Sequence, residues 1–216
     1  MNRAMLTRSS DLIPGEILAK SITIVGAGAV GSFTTLCLAK MGFVDLTVFD
    51  DDTVSEVNLG NQFYRFKDIG KPKVEALAEI VKDFSGTEIK AFPVRYTGHV
   101  PVRVVVAAVD SMASRKDIWG KERGRFGSFW FVDPRMGAEQ ASIRIAKTQV
   151  PDTWQAYERT LWDDSAIPNE PCTAKSTVYT AASLGATVAQ TVRDLLLERP
   201  YQELQWDVGK FCMEKV

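Results

Sequence analysis

The sequence predicts an α/β fold of Rossmann-like type, with a mainly parallel sheet, helices on both faces and antiparallel strands toward the C-terminus. Three observations predict it. An apolar strand runs directly into a glycine-rich turn and a helix, strand and helix patterns then alternate, and an alternating strand with a terminal hairpin follows. Such a sheet binds ligands at the carboxyl ends of its strands, so the residues that follow each strand are the candidate site.

The first unit is a strand over residues 22–25, a turn and a helix over residues 30–40. The turn reads G-x-G-x-x-G, with glycines at 26, 28 and 31. Gly26 allows the tight turn, Gly28 lets backbone N–H groups approach a phosphate, and Gly31 lets the helix pack close to the strand. The helix N-terminus then faces an anion. The unit predicts an adenine-nucleotide site, and the alternative is a tight turn that binds nothing.

A second strand over residues 44–49 ends at Asp50, nineteen residues after Gly31. Rossmann-like folds place the carboxylate that holds a ribose hydroxyl at about this distance. Asp51 and Asp52 follow directly. Three consecutive acids repel each other, so we expect them to face hydroxyls, amides or a cation, and the alternative is a solvated acidic loop.

A helix is predicted from about Pro72 to Lys82, with Lys71 and Lys73 in its first turn. Lysine is unfavourable there because of the helix dipole, so we expect Lys73 to meet an anion. The alternative is an ordinary surface lysine.

Two further strands are predicted at 88–94 and 102–109, and the second is almost purely valine and alanine. This composition is typical of a strand buried on both faces of a parallel sheet. Asp110 follows it, at the edge where ligands bind. The alternative role for Asp110 is a helix cap.

The second half departs from this alternation. A fifth strand is predicted at 128–132, and the alternating pattern of 141–146 indicates an antiparallel strand. Residues 149–175 form a long loop with one short helix near 153–159, and Cys172 lies near its end. The remaining predicted elements are a long helix at 177–199, with small residues that permit close packing, and a hairpin formed by 203–206 and 210–213.

Composition limits the function. The 216 residues carry 26 basic and 27 acidic side chains, and no basic stripe indicates nucleic acid. The apolar run at 104–109 is too short to span a membrane, so we expect a soluble cytoplasmic protein. The three cysteines form no C-x-x-C pair, so we expect no zinc, and His99 is the single histidine.

The motifs above, taken in order, resemble the ThiF/MoeB family, whose adenylation domain is shared with ubiquitin-activating E1 enzymes. The motifs that carry the resemblance are Gly26-Ala-Gly-Ala-Val-Gly31, Asp50-x-Asp52, Asn58-Leu-Gly-Asn-Gln62, Asp68-Ile-Gly-Lys-Pro-Lys73 and Asp110-Ser-Met-Ala-Ser-Arg115. The resemblance extends from the N-terminal arm, residues 1–20, through the long helix. It implies one adenylation domain over residues 1–216.

The resemblance implies that ATP reacts at its α-phosphate with the C-terminal carboxylate of a ubiquitin-like or sulfur-carrier protein. The product is an acyl-adenylate, and pyrophosphate leaves. A carboxylate is ionised at neutral pH, so the reaction needs no general base, and a single histidine is no obstacle. Charge compensation on the phosphates, from cations and Mg²⁺, is the main requirement.

The resemblance also implies residue roles. The family pattern assigns the ribose to Asp50, phosphate contacts to Asn58 and Lys73, and Mg²⁺ to Asp110. Asp52, Asn61 and Gln62, with the three glycines, complete the implied ATP site. In a homodimer an arginine of the arm, matched here by Arg3, reaches the partner's ATP. Cys172 is the candidate for a thioester or persulfide with the activated carrier.

One departure leaves alternatives open. Asn61 stands where the family usually has an arginine that binds the triphosphate, and Arg65 is close enough in sequence to substitute for it. The alternatives are adenylation of a small molecule, a peptide or tRNA, and a non-catalytic nucleotide-binding scaffold. An NAD-dependent oxidoreductase would leave Lys73 and Asp110 unexplained.

Overall fold

The computed structural model describes residues 6–98, 102–124, 127, 129–162, 176–210 and 212–215. Its strands are β1 (Ile22–Val25), β2 (Leu46–Phe49), β3 (Lys90–Phe92), β4 (Val104–Ala107), β5 (Trp130–Gly137), β6 (Gln140–Lys147), β7 (Leu204–Asp207) and β8 (Cys212–Lys215). Its α-helices are α1 (Ala29–Lys40), α2 (Lys73–Ser85), α3 (Met112–Arg123), α4 (Pro151–Glu158) and α5 (Val178–Leu196). Among these residues, no helix is both long and apolar enough to span a bilayer.

The strands form one sheet in the order β3-β2-β1-β4-β5-β6-β7-β8. The first five strands in this order are parallel, and the pairs from β5 to β8 are antiparallel. Every residue of β1, β2 and β4 is buried, as expected for parallel strands that are covered on both faces. The predicted fold class is confirmed.

Helices cover both faces of the sheet. Helices α1, α2 and α5 enclose one apolar core, while α3 and the Tyr157 end of α4 enclose a second core on the other face. Helix α5 packs directly on α1 at Gly185, where a Cβ atom would lie 2.6 Å from the Cβ atom of Phe33. The small residues predicted on this helix therefore permit a close helix–helix contact.

Strand β5 differs from the prediction, because it continues past Val132 to Gly137 and pairs with β6 throughout. Its pairing with β4 ends at Val132. The N–H group of Trp130 donates to the carbonyl oxygen of Arg103, which directly precedes β4. Backbone groups along a strand alternate in direction with a period of two residues, so the nitrogen of Pro134, four residues later, also faces the β4 side. Among the described residues, no strand residue pairs with Pro134 on that side, so its missing N–H leaves no ladder bond unmade.

The other predicted elements agree with the structure, with shifted ends. The described part of the arm packs on the domain through Leu6, Ile13, Ile17 and Leu18, whereas Leu12 is exposed. Helix α4 is the short helix predicted in the long loop. Arg3, His99 and Cys172 lie outside the described residues.

Candidate nucleotide site

A cavity of about 1100 Å³ lies at the carboxyl ends of the central strands. It begins between the loops that follow β1 and β4, where the strand order changes direction, and it extends over the hairpin of β5 and β6. Open α/β sheets bind ligands at such a switch point. We call the part between the loops after β1 and β4 the nucleotide half, and the part over the hairpin of β5 and β6 the hairpin half.

The three glycines of the loop after β1 serve different purposes. Gly26 has a φ of +98°, and a Cβ atom there would lie 2.3 Å from the carbonyl oxygen of Ala108. A Cβ atom on Gly31 would lie 1.9 Å from the carbonyl oxygen of Gly26, so the fold itself requires both glycines. A Cβ atom on Gly28 would meet nothing within 4 Å, and Gly28 lines the cavity. Packing therefore does not explain Gly28, whereas a ligand close to the backbone would.

The peptide unit of Ala27, between the first two glycines, is held from both sides. Its N–H donates to Asp50 Oδ2 at 2.6 Å, and its carbonyl oxygen accepts from the Tyr64 hydroxyl at 2.6 Å. Burial, and then the negative charge of Asp50, raise the pKa of Tyr64, so its hydroxyl remains a donor. These two bonds therefore support the loop conformation from both sides.

The three consecutive acids point in a common direction. Oxygen atoms of Asp50, Asp51 and Asp52 lie within 4.8 Å of one another, and all three residues line the cavity. Asp50 is the least exposed, and it also accepts from the N–H of Asp52 at 2.9 Å. The acids thus face the nucleotide half, and their contact with hydroxyls, amides or a cation stays a prediction.

The two lysines near the start of α2 have different environments. Lys73 is buried, with 8% of its side chain exposed, and its Nζ atom lies 2.7 Å from Asp52 Oδ2 at the cavity wall. Lys71 instead pairs with Glu79 on the surface. The lysine that the sequence predicts to meet an anion is therefore the one that reaches the cavity.

Asp110 lies at the cavity wall after β4, and it is exposed. Ser111 caps α3 by accepting from the N–H of Ser114 at 3.1 Å, so Asp110 does not have that role. Within the described chain, the Asp110 carboxylate makes no hydrogen bond or ion pair. It is free to accept a ligand from the cavity.

Only part of the Asn58–Gln62 segment reaches the cavity. Asn61 and Gln62 line the cavity, and within the described chain their buried side-chain oxygens have no partner. The Asn61 amide nitrogen donates to Ser176, just before α5. Asn58 lies outside the cavity lining, where its Oδ1 atom accepts from the N–H and hydroxyl of Ser55. Its phosphate contact therefore stays a prediction.

Arg65 does not reach the cavity. Its guanidinium binds the buried Asp68 in the turn before α2, and Glu79 and Asp83 on the exposed face of α2. Arg65 thus holds this turn against α2 and does not occupy the position of the arginine that Asn61 replaces.

A network that the sequence did not reveal lies between the two halves. The fully buried carboxylate of Asp133 accepts from Arg115 Nε and Arg135 Nε, both at 2.8 Å, and from the Tyr157 hydroxyl at 3.1 Å. Arg115 also donates to the carbonyl oxygen of Val109 at 2.6 Å, directly before Asp110. Both arginines line the cavity. The network joins the Asp110 loop to β5.

The hairpin half has a polar floor. In the strand register Arg135 lies opposite Ser142, Ser142 lies opposite Gln205, and Arg144 is two residues further along the same face. We call Arg135, Gln140, Ser142, Arg144 and Gln205 the hairpin floor, and all of them line the cavity. The alternating pattern of 141–146 could have indicated that Ser142 and Arg144 face away from the core, because the apolar residues that alternate with them are buried in it.

The donors present fit a nucleotide with a divalent cation. The N-terminus of α1 has no side-chain cap, and Gly28, Ala29 and Val30 line the cavity, so free N–H groups are available to a phosphate. Lys73 offers a cation, and Asp110 offers the hard oxygen ligand that Mg²⁺ prefers. Of the remaining predicted site residues, Gly31 has a packing role, and Arg3 and Cys172 lie outside the described residues.

Comparison with known proteins supports this assignment. The sequence pattern of the ThiF family matches residues 10–120. The NEDD8-activating enzyme E1 catalytic subunit of Arabidopsis thaliana is 34% identical over 110 residues, which are 46% of this chain and 23% of that protein. The sulfur carrier protein ThiS adenylyltransferase of Escherichia coli is 25% identical over 207 residues, covering 90% of this chain and 80% of that protein.

Solved structures show the same fold. The crystal structure of E. coli MccB with AMPCPP and MccA has a TM-score of 0.75 and 12% sequence identity, and the match covers 100% of this chain and 71% of that one. By contrast, this chain spans only about a quarter of the Arabidopsis protein.

Proposed function

This chain belongs to the ThiF family, and from that premise we propose that it is an E1-like, ATP-dependent adenylyltransferase. The proposed substrate is the C-terminal carboxylate of a ubiquitin-like or sulfur-carrier protein, activated as an acyl-adenylate. The observation that carries the proposal is the arrangement of Gly28, Lys73 and Asp110 around one cavity that continues onto the hairpin floor.

The nucleotide half supplies the groups that ATP requires. The N–H groups at the start of α1 and the Lys73 ammonium compensate phosphate charge, and Asp50 is available to the ribose. Asp52 now holds Lys73, and a phosphate would compete with it for the ammonium. Mg²⁺, held by Asp110, would supply further charge compensation on the phosphate oxygens.

The hairpin half fits the second substrate. A chain that ends in a carboxylate can lie over the hairpin floor, whose amides, hydroxyl and guanidiniums offer hydrogen bonds along its length. The attacking carboxylate is ionised at neutral pH, so no residue has to remove a proton. This chain's residues have to position the carboxylate, hold the phosphates and stabilise the charge on the leaving pyrophosphate.

Three further features belong to the proposal. We infer a homodimer in which Arg3 reaches the partner's nucleotide, and a cytoplasmic location. We also infer that the Cys172 thiolate attacks the acyl-adenylate and takes up the activated carrier as a thioester, while AMP leaves. The persulfide alternative would require a sulfane-sulfur donor that first transfers a sulfur atom to the Cys172 thiol. Each rests on the family resemblance.

The decisive experiment is ATP–pyrophosphate exchange. Exchange that requires both Mg²⁺ and a carrier protein supports the proposal, and exchange without any carrier indicates a small substrate or a peptide. Calorimetry of Mg²⁺-ATP with wild type and Asp110→Ala tests the site separately. Binding that depends on Mg²⁺ in wild type and is lost in the variant supports it. A folded dimer that binds ATP but shows no exchange with any substrate would indicate a scaffold instead.

A further inference from the structure

The junction of the two halves carries a buried arginine on α3. Arg115 lines the cavity, although only 8% of its side chain is exposed. It lies between the loop that carries Asp110 and strand β5, because it donates to the carbonyl oxygens of Val109 at 2.6 Å and of Pro134 at 3.2 Å. Its guanidinium therefore stands where the nucleotide half ends and the hairpin half begins.

The guanidinium of Arg115 is fixed along one edge and free at the third nitrogen. Its Nε atom donates to Asp133 Oδ1 at 2.8 Å, and its Nη2 atom makes both carbonyl contacts. Within the described chain, Nη1 has no hydrogen-bond partner, yet it keeps accessible surface and is not one of the enclosed polar atoms. Since Arg115 lines the cavity, this nitrogen opens on it. The other two nitrogens thus hold Nη1 in a fixed position for a ligand.

The second arginine of the same network has its donors in use. Arg135 donates to Asp133 through Nε and to Thr160 through both terminal nitrogens. Within the described chain, Asp133 is the carboxylate partner of both arginines, so one negative charge serves two guanidiniums. Arg115 can therefore bind an anion in the cavity without breaking its own ion pair.

We propose that Arg115 is a catalytic residue whose Nη1 atom donates to the α-phosphate of ATP. The inference rests on the proposed function, because in that reaction the substrate carboxylate attacks the α-phosphorus, so this phosphate has to lie where the two halves meet. A guanidinium that is already in position stabilises the phosphate oxygens while the carboxylate oxygen bonds to phosphorus and pyrophosphate leaves.

The test compares adenosine with AMP, which differ only by the α-phosphate. NMR titration of the intact chain in EDTA gives both dissociation constants, so neither Mg²⁺ nor the outer phosphates contribute. Wild type should bind AMP more tightly than adenosine. In Arg115→Gln the ratio of the adenosine constant to the AMP constant should fall about tenfold or more, because a charged hydrogen bond is lost.

The adenosine constant is an internal control. If Arg115 only supported the loop that carries Asp110, its replacement would disturb the site and weaken both ligands equally. A direct contact with the α-phosphate leaves the affinity for adenosine within about twofold of wild type and weakens AMP alone.

Two further variants locate the effect. Arg115→Lys should lower the ratio less, by about threefold, because an ammonium keeps the charge but not the fixed fork of donors. Arg123→Gln is the matched control on the same helix, because that arginine pairs with Glu158 and does not line the cavity. Asp133 keeps Arg135 as its counterion in Arg115→Gln, so the fold should survive. Thermal melting checks this, and if Arg115→Gln is not folded, Arg115→Lys decides.

Equal binding of adenosine and AMP by wild type, an unchanged ratio in Arg115→Gln, or equal losses for both ligands would each overturn the inference. Failure of the proposed function is a different result. It would appear as a lack of ATP–pyrophosphate exchange while AMP binding still depends on Arg115. Carrier-dependent exchange together with a wild-type ratio in Arg115→Gln would keep the proposed function and reject this inference.

Discussion

The Tyr64 hydroxyl donates a hydrogen bond of 2.6 Å to the carbonyl oxygen of Ala27, within the glycine-rich loop. The two residues are 37 positions apart in sequence, so the contact joins the glycine-rich loop to the segment that carries Asn61 and Gln62. One bond therefore links the two segments that line the nucleotide half.

Replacing Tyr64 by Phe should weaken ATP binding by about 3- to 10-fold, because the Ala27 peptide unit loses one of its two hydrogen bonds and a neutral hydrogen bond contributes about 0.5–1.5 kcal/mol. Isothermal calorimetry with Mg²⁺-ATP measures the change. Tyr201→Phe, at a ring that packs on Trp130 far from the loop, is the control. Equal ATP affinities of Tyr64→Phe and wild type would show that Asp50 alone fixes the loop.

Alanine at Gly28 should weaken ATP binding, whereas alanine at Gly31 should lower the stability of the fold. In Gly28→Ala the methyl group points into open cavity, so stability should be retained while ATP binding falls at least about tenfold. In Gly31→Ala the methyl group meets the Gly26 carbonyl, so the protein should lose about 1–3 kcal/mol of stability. Thermal melting and nucleotide titration of both variants check this. Normal ATP affinity in a folded Gly28→Ala protein would argue against phosphate at this loop.

Lys73→Met should reduce ATP–pyrophosphate exchange by about 10²- to 10³-fold, because a buried cation that stabilises developing phosphate charge is lost. Lys71→Met is the matched control two residues away, since among the described residues Lys71 pairs with Glu79 on the surface. Its exchange rate should stay within about twofold of wild type. Similar losses in both variants would mean that neither lysine has a specific role.

The Arg65–Asp68 pair should make stability depend on pH. Burial acts to raise the pKa of Asp68, but hydrogen bonds from the Arg65 side chain and backbone outweigh it and lower the pKa below its ordinary value of 3.8. The carboxylate thus contributes stability above that value, and the contribution disappears as pH falls through the lower folded-state pKa.

At pH 7, Asp68→Asn should lower the free energy of unfolding by about 1.5–3 kcal/mol, because charged hydrogen bonds to Arg65 are lost. Urea denaturation from pH 7 down to pH 3 should show this difference shrinking at the acid end. Asp83→Asn, which removes a largely exposed partner of the same arginine, should change stability by less than about 1 kcal/mol. A pH-independent difference for Asp68→Asn would remove the electrostatic explanation.

The sequence predicts the nucleotide half better than the hairpin half for a physical reason. The glycines, Asp50, Lys73 and Asp110 each follow a strand or begin a helix, so the local pattern places them at one edge of the sheet. The partners of Asp133 come from α3, β5 and α4, and only the folded chain brings them together.

Two individual assignments illustrate the same limit. The sequence cannot show that Asn58 is engaged by Ser55 or that Arg65 is held by three acids, because both outcomes depend on side-chain packing. The prediction that the fifth strand ends at residue 132 is wrong, because β5 continues through Asp133 and Pro134 to Gly137. A charge and a proline normally end a strand, and only the arginines and the unpaired edge make them acceptable here.

The contact between α1 and α5 has a consequence for synthesis of the chain. The core face next to α1 is filled by Leu184, Val188 and Val192, and the Thr34 hydroxyl donates to the carbonyl oxygen of Gly185. The nucleotide half is therefore built from loops that precede residue 115 but supported by a helix that is translated after them. A ribosome has to release residues 178–196 before this face of α1 is covered, so synthesis of the cavity loops alone does not complete the packing that supports them.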